Sequence, residues 1–294
     1  MKVLVTGATG FLGSTLTREL LNTGRQVKVL SRNGADTRNI DGLKIENVFG
    51  DLRDKPSLKT ALRGCDVLYH AAAYYSFWSR DKNLVYDINV NGTRNILEAA
   101  LESGLKKVIY TSTVGCIGLP KDATPTDEDT PVSEAQMSNH YKISKWRAEV
   151  VARELAEKLP VVIVNPSAPI GPRDVKPTPT GKVIVDFVKR QMPAYLDTGL
   201  NWVHVRDVVA GHVLAAEKGR IGERYILGHS EGNLTMRQAF DLLEELTGVR
   251  GPRTRIPYLV AWLAAVFGEA FAKITRKPPR ASLAGVRMAK YKMF

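Results

Sequence analysis

Three glycines at three-residue spacing, Gly7, Gly10 and Gly13, constrain this chain more than any other stretch. They follow Lys2 to Thr6, whose Val3, Leu4 and Val5 read as a buried strand. They lead into Phe11 to Leu21, which puts Leu12, Leu16, Leu20 and Leu21 on one helical face. A strand that turns through glycines into a helix aims backbone N–H groups and the positive helix end at one point, a place for a pyrophosphate. Gly7 permits the tight turn, Gly10 lets the backbone approach a phosphate, and Gly13 lets helix and strand pack closely. Thr9, Phe11 and Leu12 complete the expected cradle. The spacing differs from the commoner G-x-G-x-x-G, and Gly-rich turns also serve as plain strand-to-helix connections, so the decision lies downstream.

The pattern of strand and helix repeats. Strands are expected at Gln26 to Ser31, Leu43 to Val48, Asp66 to His70, Lys106 to Ser112 and Val161 to Asn165. Helices are expected at Ser57 to Leu62, Asp81 to Ser103 and Gln136 to Lys158. Strands alternating with helices over this length imply an α/β fold with a parallel, doubly wound sheet of the Rossmann type. Beyond Pro172 the regularity loosens into a helix at 183–190, a strand at 201–205, a helix at 207–218, a strand at 224–227 and helices at 235–247 and 256–274. The expected organisation is a nucleotide-binding unit from 1–171 and 199–228 and a smaller substrate lobe from 172–198 and 229–294.

Arg32 closes the second strand, where an acidic residue would bond a ribose 2′-hydroxyl and repel a 2′-phosphate. A guanidinium there, with Arg38 close behind, favours NADP(H), with NAD(H) as second choice; the alternative is a solvated strand-end charge. Asp51 offers an acceptor for an adenine amino group with Leu52 covering the ring, or is a turn aspartate. Ala71, Ala72 and Ala73 end the fourth strand with side chains small enough for a cofactor to lie against the backbone. His70 reads as a packed strand residue. The aromatic run Tyr74-Tyr75-Ser76-Phe77-Trp78 either lines a pocket for an apolar or ring-shaped substrate or packs on itself.

Tyr141 and Lys145 stand four apart on an expected helix and so share a face. A lysine cation beside a phenol lowers its pKa, and a Thr113 hydroxyl at the neighbouring strand end would hold a substrate oxygen. The three make a proton relay for interconverting a carbonyl and an alcohol, with a nicotinamide as hydride partner.

These pieces carry a resemblance. Thr6-Gly-Ala-Thr-Gly-Phe-Leu-Gly13, Gly50-Asp51-Leu52, Asn89-Val-Asn-Gly-Thr93, Tyr110-Thr-Ser-Thr113, Tyr141-Lys-Ile-Ser-Lys145, Asn165 to Pro172 and His204-Val-Arg-Asp207 resemble the extended short-chain dehydrogenase/reductase superfamily of the NAD-dependent epimerase/dehydratase type. Stretches 162–174, 177–181 and 193–201 resemble its hopanoid-associated sugar epimerase group, itself similar to dihydroflavonol 4-reductases. The resemblance implies that Tyr141 is the general acid/base and that Lys145 also holds the nicotinamide ribose. It implies that Thr113 is the catalytic hydroxyl, that Asn89 supports the active-site helix, and that Thr111, Pro166 and Ala168 meet the cofactor. It further implies a homodimer through helices 81–103 and 136–158. Two departures count against a UDP-sugar epimerase. Leu200 stands where such enzymes commonly carry a diphosphate-gripping Arg, and Arg32 stands where the NAD-retaining ones carry an acid. Relatives usually run on beyond the final Lys-Met-Phe, so the chain is expected to be trimmed there.

Composition excludes several classes. The net charge of +12 is uneven: 250–294 hold ten Lys/Arg against Glu269 alone, so the basicity belongs to the tail and not to a nucleic-acid-binding face. Cys65 and Cys116 have no CxxC context, the five histidines form no ligand cluster, and no metal is expected. With no signal-peptide pattern and no apolar run of about 18 residues, a cytoplasmic protein is expected. The readings carried forward are an NADP(H)-dependent carbonyl reductase, a sugar epimerase using a transiently reduced bound NAD(P), and a cofactor-binding protein without turnover. The apolar helix at 256–274, flanked by cations, either rests on an anionic membrane or packs on the substrate lobe.

Overall fold

The computed structural model describes residues 1–76, 81–119, 124–275, 279 and 282–294. Its elements in order are β1 (Lys2–Thr6), α1 (Phe11–Asn22), β2 (Gln26–Ser31), β3 (Glu46–Phe49), α2 (Lys55–Leu62), β4 (Val67–His70), α3 (Lys82–Tyr86), α4 (Gly92–Glu102), β5 (Lys107–Thr111), α5 (His140–Leu155) and β6 (Val161–Pro166). There follow β7 (Ala168–Ile170), α6 (Pro179–Val188), β8 (Ala194–Tyr195), β9 (Gly199–His204), α7 (Val205–Lys218), β10 (Arg224–Leu227), β11 (Asn233–Thr235), α8 (Met236–Thr247), β12 (Thr254–Arg255), α9 (Tyr258–Thr275), α10 (Leu283–Met288) and β13 (Lys292–Met293).

Seven strands form one parallel sheet in the order β10-β6-β5-β4-β1-β2-β3. Its strands are apolar on both faces, as a sheet covered by helices on each side requires. Leu4, Leu68, Val108, Tyr110 and Ile163 join one core with α2, α4 and α5. Their neighbours Val3, Val5, Tyr69, Ile109, Val162 and Val164 join the opposite core with α1 and α7. The strand order reverses between β1 and β4, so the carboxyl ends of those two strands open the crevice in which such sheets bind ligands.

A smaller sheet, β11-β9-β13 with β7 on β9, builds the second lobe around Phe187, Trp202, Met236 and Phe240. β9 thus pairs with β7 on one side and with β11 and β13 of the lobe. The expected single helix over 81–103 carries a π turn at Asp87–Asn91 between α3 and α4. The expected helix at 136–158 shortens to α5, because Asn139 caps it through the Lys142 N–H. The third strand falls at 46–49 instead of 43–48, and α6 begins at Pro179, ahead of the expected 183. The helix at 256–274 is found almost as expected, as α9.

Candidate active site

Gly7 adopts φ +76°, and a Cβ there would lie 2.7 Å from the Ala72 N. A Cβ on Gly13 would lie 2.2 Å from the Gly7 carbonyl oxygen. Strand end, turn and helix therefore touch backbone to backbone, which only glycines allow. Gly10 is the N-cap of α1 and offers no side chain to its first turn, leaving the helix start open for an anion. The Thr9 carbonyl accepts from Asn39 Nδ2, which ties the turn to the following loop. The Ala72 N–H donates to Thr6 Oγ1, so Ala71 to Ala73 run beside the glycine turn. His70 is buried, with Thr6 and Thr93 on its two ring nitrogens, a packed strand residue as expected.

At the far end of β2, Arg32 lines a cavity of about 650 Å³ together with Ala35, Phe49, Asp51, Arg53 and Ser57. Three expectations change here. Arg38 does not stand free for a phosphate: its guanidinium forks onto Asp36, at 2.9 and 2.7 Å. Asp51 is gripped by Arg53 at 2.9 Å, which holds its carboxyl down to about 2. Leu52 is buried in the core against Gly92 and not over the cavity. Arg53 and the exposed Phe49 are cavity residues that sequence reasoning missed. The signal available was position, since both flank Gly50-Asp51. Ser31 Oγ, just before Arg32, is buried without a partner. A glycine cradle, an uncapped helix start and a cation-lined cavity fit a dinucleotide.

The chemical end lies where β5 and β6 finish. Lys145 is 3% exposed and donates to the Tyr110 hydroxyl at 2.9 Å and the Thr111 carbonyl at 2.8 Å. Burial brings its ammonium down to about 8. Tyr141 stacks obliquely on Tyr75, ring centres 4.8 Å apart. Burial first, then Tyr75 and Cys116, raise the phenol well above its ordinary value. The ammonium is engaged by Tyr110 and Thr111, and desolvation is the largest influence on Tyr141. The Tyr75 contact also brings the start of the aromatic run to the site, whereas Phe77 and Trp78 lie outside the described residues. Thr111 Oγ1 shares a hydrogen bond with His212 Nε2 and so points into the sheet's α7 side.

Thr113 caps a 3-10 turn (Val114–Cys116), its hydroxyl accepting from the Gly115 N–H at 3.1 Å. Its carbonyl accepts from Asn165 Nδ2, and that amide also donates to Glu149. Glu149, one and two helical turns beyond Lys145 and Tyr141, is buried and accepts from Ser112, Asn165, Arg153 and Arg224. This network was not foreseen, because its members are scattered in sequence. Asn89 sits in the π turn, accepts from the Tyr74 N–H at 2.7 Å, and donates to the Tyr74 carbonyl and to Ser144 of α5. It is a positioning residue that fastens the aromatic run to the helix carrying Tyr141. Pro166 closes β6 and Ala168, 7% exposed, opens β7 beside it. Cys116 is buried and Cys65 half-buried, and among the described residues no group of His, Cys, Asp or Glu is arranged to hold a metal.

A glycine-rich first turn at the sheet's switch point, Thr113 just beyond β5, and Tyr141 and Lys145 on the helix that follows define an extended short-chain dehydrogenase/reductase. The family model for the NAD dependent epimerase/dehydratase family matches residues 3–228, and the chain belongs to that family. It is 42% identical to the "Putative dihydroflavonol 4-reductase" of a Synechocystis species, over 99% of this chain and 85% of that protein. It is 37% identical to sterol demethylase protein B of Methylococcus capsulatus, over 98% and 88%. The crystal structure of gox2253 superposes with a TM-score of 0.87 at 44% identity, over 99% and 88% of the two chains. The UDP-glucose 4-epimerase of Thermus thermophilus in complex with NAD, at 24% identity and TM-score 0.75, shares the fold over 99% of this chain and 98% of that one. The chain is thus an NAD(P)-dependent enzyme of the extended type acting on a small molecule. Among the described residues no helix is long and apolar enough to cross a membrane.

Proposed function

We propose that this enzyme is an NADP(H)-dependent oxidoreductase that interconverts a carbonyl and an alcohol. The observation that carries the reading is the cavity at the end of β2, which Arg32 lines and whose acids among the described residues are Asp51, already paired with Arg53, and the flanking Asp54. The Arg32 guanidinium suits the 2′-phosphate that distinguishes NADP from NAD, while Arg53 is held by Asp51 as Arg38 is by Asp36. Gly7, Gly10 and the first turn of α1 would hold the pyrophosphate, and Ala71 to Ala73, Thr111, Lys145, Pro166 and Ala168 the remainder. A bound nicotinamide supplies or removes the hydride.

The chain's own residues handle the proton. A phenol raised by burial is fully protonated at neutral pH, so Tyr141 is poised as the acid that delivers a proton to a developing alkoxide. Thr113 keeps its hydroxyl hydrogen to donate to the same oxygen, since its own bond is accepted from Gly115. Lys145 fixes the ends of β5 and supplies the nearby positive charge. Tyr75, against the Tyr141 ring, gives the site an apolar aromatic wall, which suits the ring-bearing and sterol-type substrates that the relatives' names denote. A homodimer through α3–α4 and α5 belongs to the same reading and is checked by sedimentation equilibrium.

The test begins with the purified enzyme. Denaturation should release no stoichiometric NAD⁺, and the empty site should bind NADPH at least about tenfold more tightly than NADH. Arg32→Asp should abolish that preference, while Tyr141→Phe should lower kcat by roughly 100-fold or more with NADPH binding unchanged. Stoichiometric NAD⁺ retained through purification would overturn the reductase reading in favour of an epimerase. Unimpaired turnover by Tyr141→Phe would refute the assigned acid.

A further inference from the structure

The helix α9 is oriented unlike one that packs on a soluble body. Its buried positions are alanines: Ala261, Ala265 and Ala272, of which Ala265 is 0% exposed. The first two pack with Val286 and Leu283 of α10. Trp262 joins that cluster, but most of the other large apolar side chains of the helix face solvent. Leu259, Leu263, Phe267, Phe271 and Ile274 recur every three or four residues, so they form one stripe along the helix. Phe267 is 71% exposed and Ile274 81%. Outward-facing phenylalanines in a continuous row mark a surface that something covers.

The charge names the occupant. Residues 250–294 carry ten Lys/Arg and one acid, three quarters of the whole chain's net charge of +12. Arg250, Arg253 and Arg255 precede the helix, and Arg276, Lys277 and Arg280 follow it in sequence. Arg253 and Arg255 hold ion pairs with Glu244 and Asp197, and Glu269 is spent on the Leu283 N–H. A second copy of this chain laid on the stripe would bring one strongly basic segment, still about +7 after those two ion pairs, against another. An anionic bilayer surface answers both features, taking the stripe at the headgroup boundary and the cations among its phosphates.

We propose that α9 is an interfacial docking helix that lies in the plane of an anionic phospholipid membrane. The inference is independent of the reaction catalysed. The test is co-sedimentation of the full chain with vesicles of phosphatidylglycerol and phosphatidylcholine, and with phosphatidylcholine alone, at low and high salt. The wild type should bind the anionic vesicles, and binding should fall on the order of tenfold or more at high salt or without phosphatidylglycerol. The variant Phe267→Ser/Phe271→Ser/Ile274→Ser changes only exposed side chains. It should keep the wild-type unfolding midpoint and dinucleotide affinity while its membrane affinity drops roughly 100-fold. Absence of wild-type binding to anionic vesicles at low salt would overturn the proposal, as would undiminished binding by the variant. If the variant instead converts a dimer to a monomer and the wild type ignores vesicles, the stripe is a contact between copies.

Discussion

Replacing Gly13 with alanine should damage both the fold and the dinucleotide site, and the structure sets the scale. The new Cβ would meet the Gly7 carbonyl oxygen at 2.2 Å, its carbon at 2.6 Å and the Ala8 Cα at 3.0 Å. Ordinary contact begins at 3.4 Å, so α1 must withdraw from the turn by about 1.2 Å. All three obstacles are backbone, and α1 is pinned by Leu16 and Leu20, both 0% exposed. Overpacking of this kind costs roughly 1–3 kcal/mol. Alanine returns about 1 kcal/mol in a helix. The net loss of up to about 2 kcal/mol should lower the unfolding midpoint by up to several degrees. Binding should suffer more, because the N–H groups at the helix start move with the helix. Loss of one charge-assisted hydrogen bond corresponds to on the order of tenfold or more in Kd. Calorimetry and NADPH fluorescence titration measure the two effects. Gly10→Ala is the internal comparison: its Cβ would lie 3.3 Å from the same oxygen, so its stability should change far less. If Gly13→Ala melts and binds like wild type, the close-approach argument is wrong.

Three further outcomes are expected. Burial holds His70 down to about 3 and His212 down to about 4, so both stay neutral in the fold while the unfolded chain protonates below about 6.5. Their contribution is present above that pH and lost as pH falls, at about 1.4 kcal/mol per pH unit for each; urea unfolding should show this slope between pH 6 and 5, and His212→Asn should remove its share. Glu149→Ala leaves the mostly buried Arg224 without its carboxylate partner and should cost about 3–5 kcal/mol, whereas Arg153→Ala, at the half-exposed end, should cost under about 1 kcal/mol; equal effects in chemical denaturation would sink the network's role. Asn89→Ala removes its hydrogen bonds to Tyr74 and Ser144 and should raise KM and lower kcat together while NADPH affinity holds, a split that a purely global destabilisation would not give.

What the sequence made legible was local. The Gly7/Gly10/Gly13 turn, the strand–helix alternation and the Tyr141/Lys145 pair are each written in short stretches, with periods that physics ties to one conformation. Side-chain pairings over short range were harder, because several partners compete: nothing in the chain's order says that Arg38 takes Asp36 and Arg53 takes Asp51. The surroundings of Tyr141 were hidden for a related reason. Helical spacing shows which residues share a face, not that Tyr110 and Thr111 would claim the lysine, nor how dry the site is. The Glu149 network was invisible because it joins positions 112, 149, 165 and 224, which only the sheet order brings together.

That last arrangement bears on how the protein is made. β10, which supplies Arg224, pairs with β6 only after the chain has passed through most of the second lobe's first segment and β9. Until then a nascent chain presents β6 as a bare parallel edge, with Glu149 lacking its mostly buried cation. The N-terminal six strands therefore complete this edge, and the cation beside Glu149, only when β10 arrives. The ribosome must deliver about sixty residues beyond β6 before the strand ends that hold Thr113 lock in place. At about 5–20 residues per second this leaves an interval of several seconds in which the unfinished sheet is open to proteases and chaperones. Catalytic competence and escape from quality control should then arrive in the same step of synthesis.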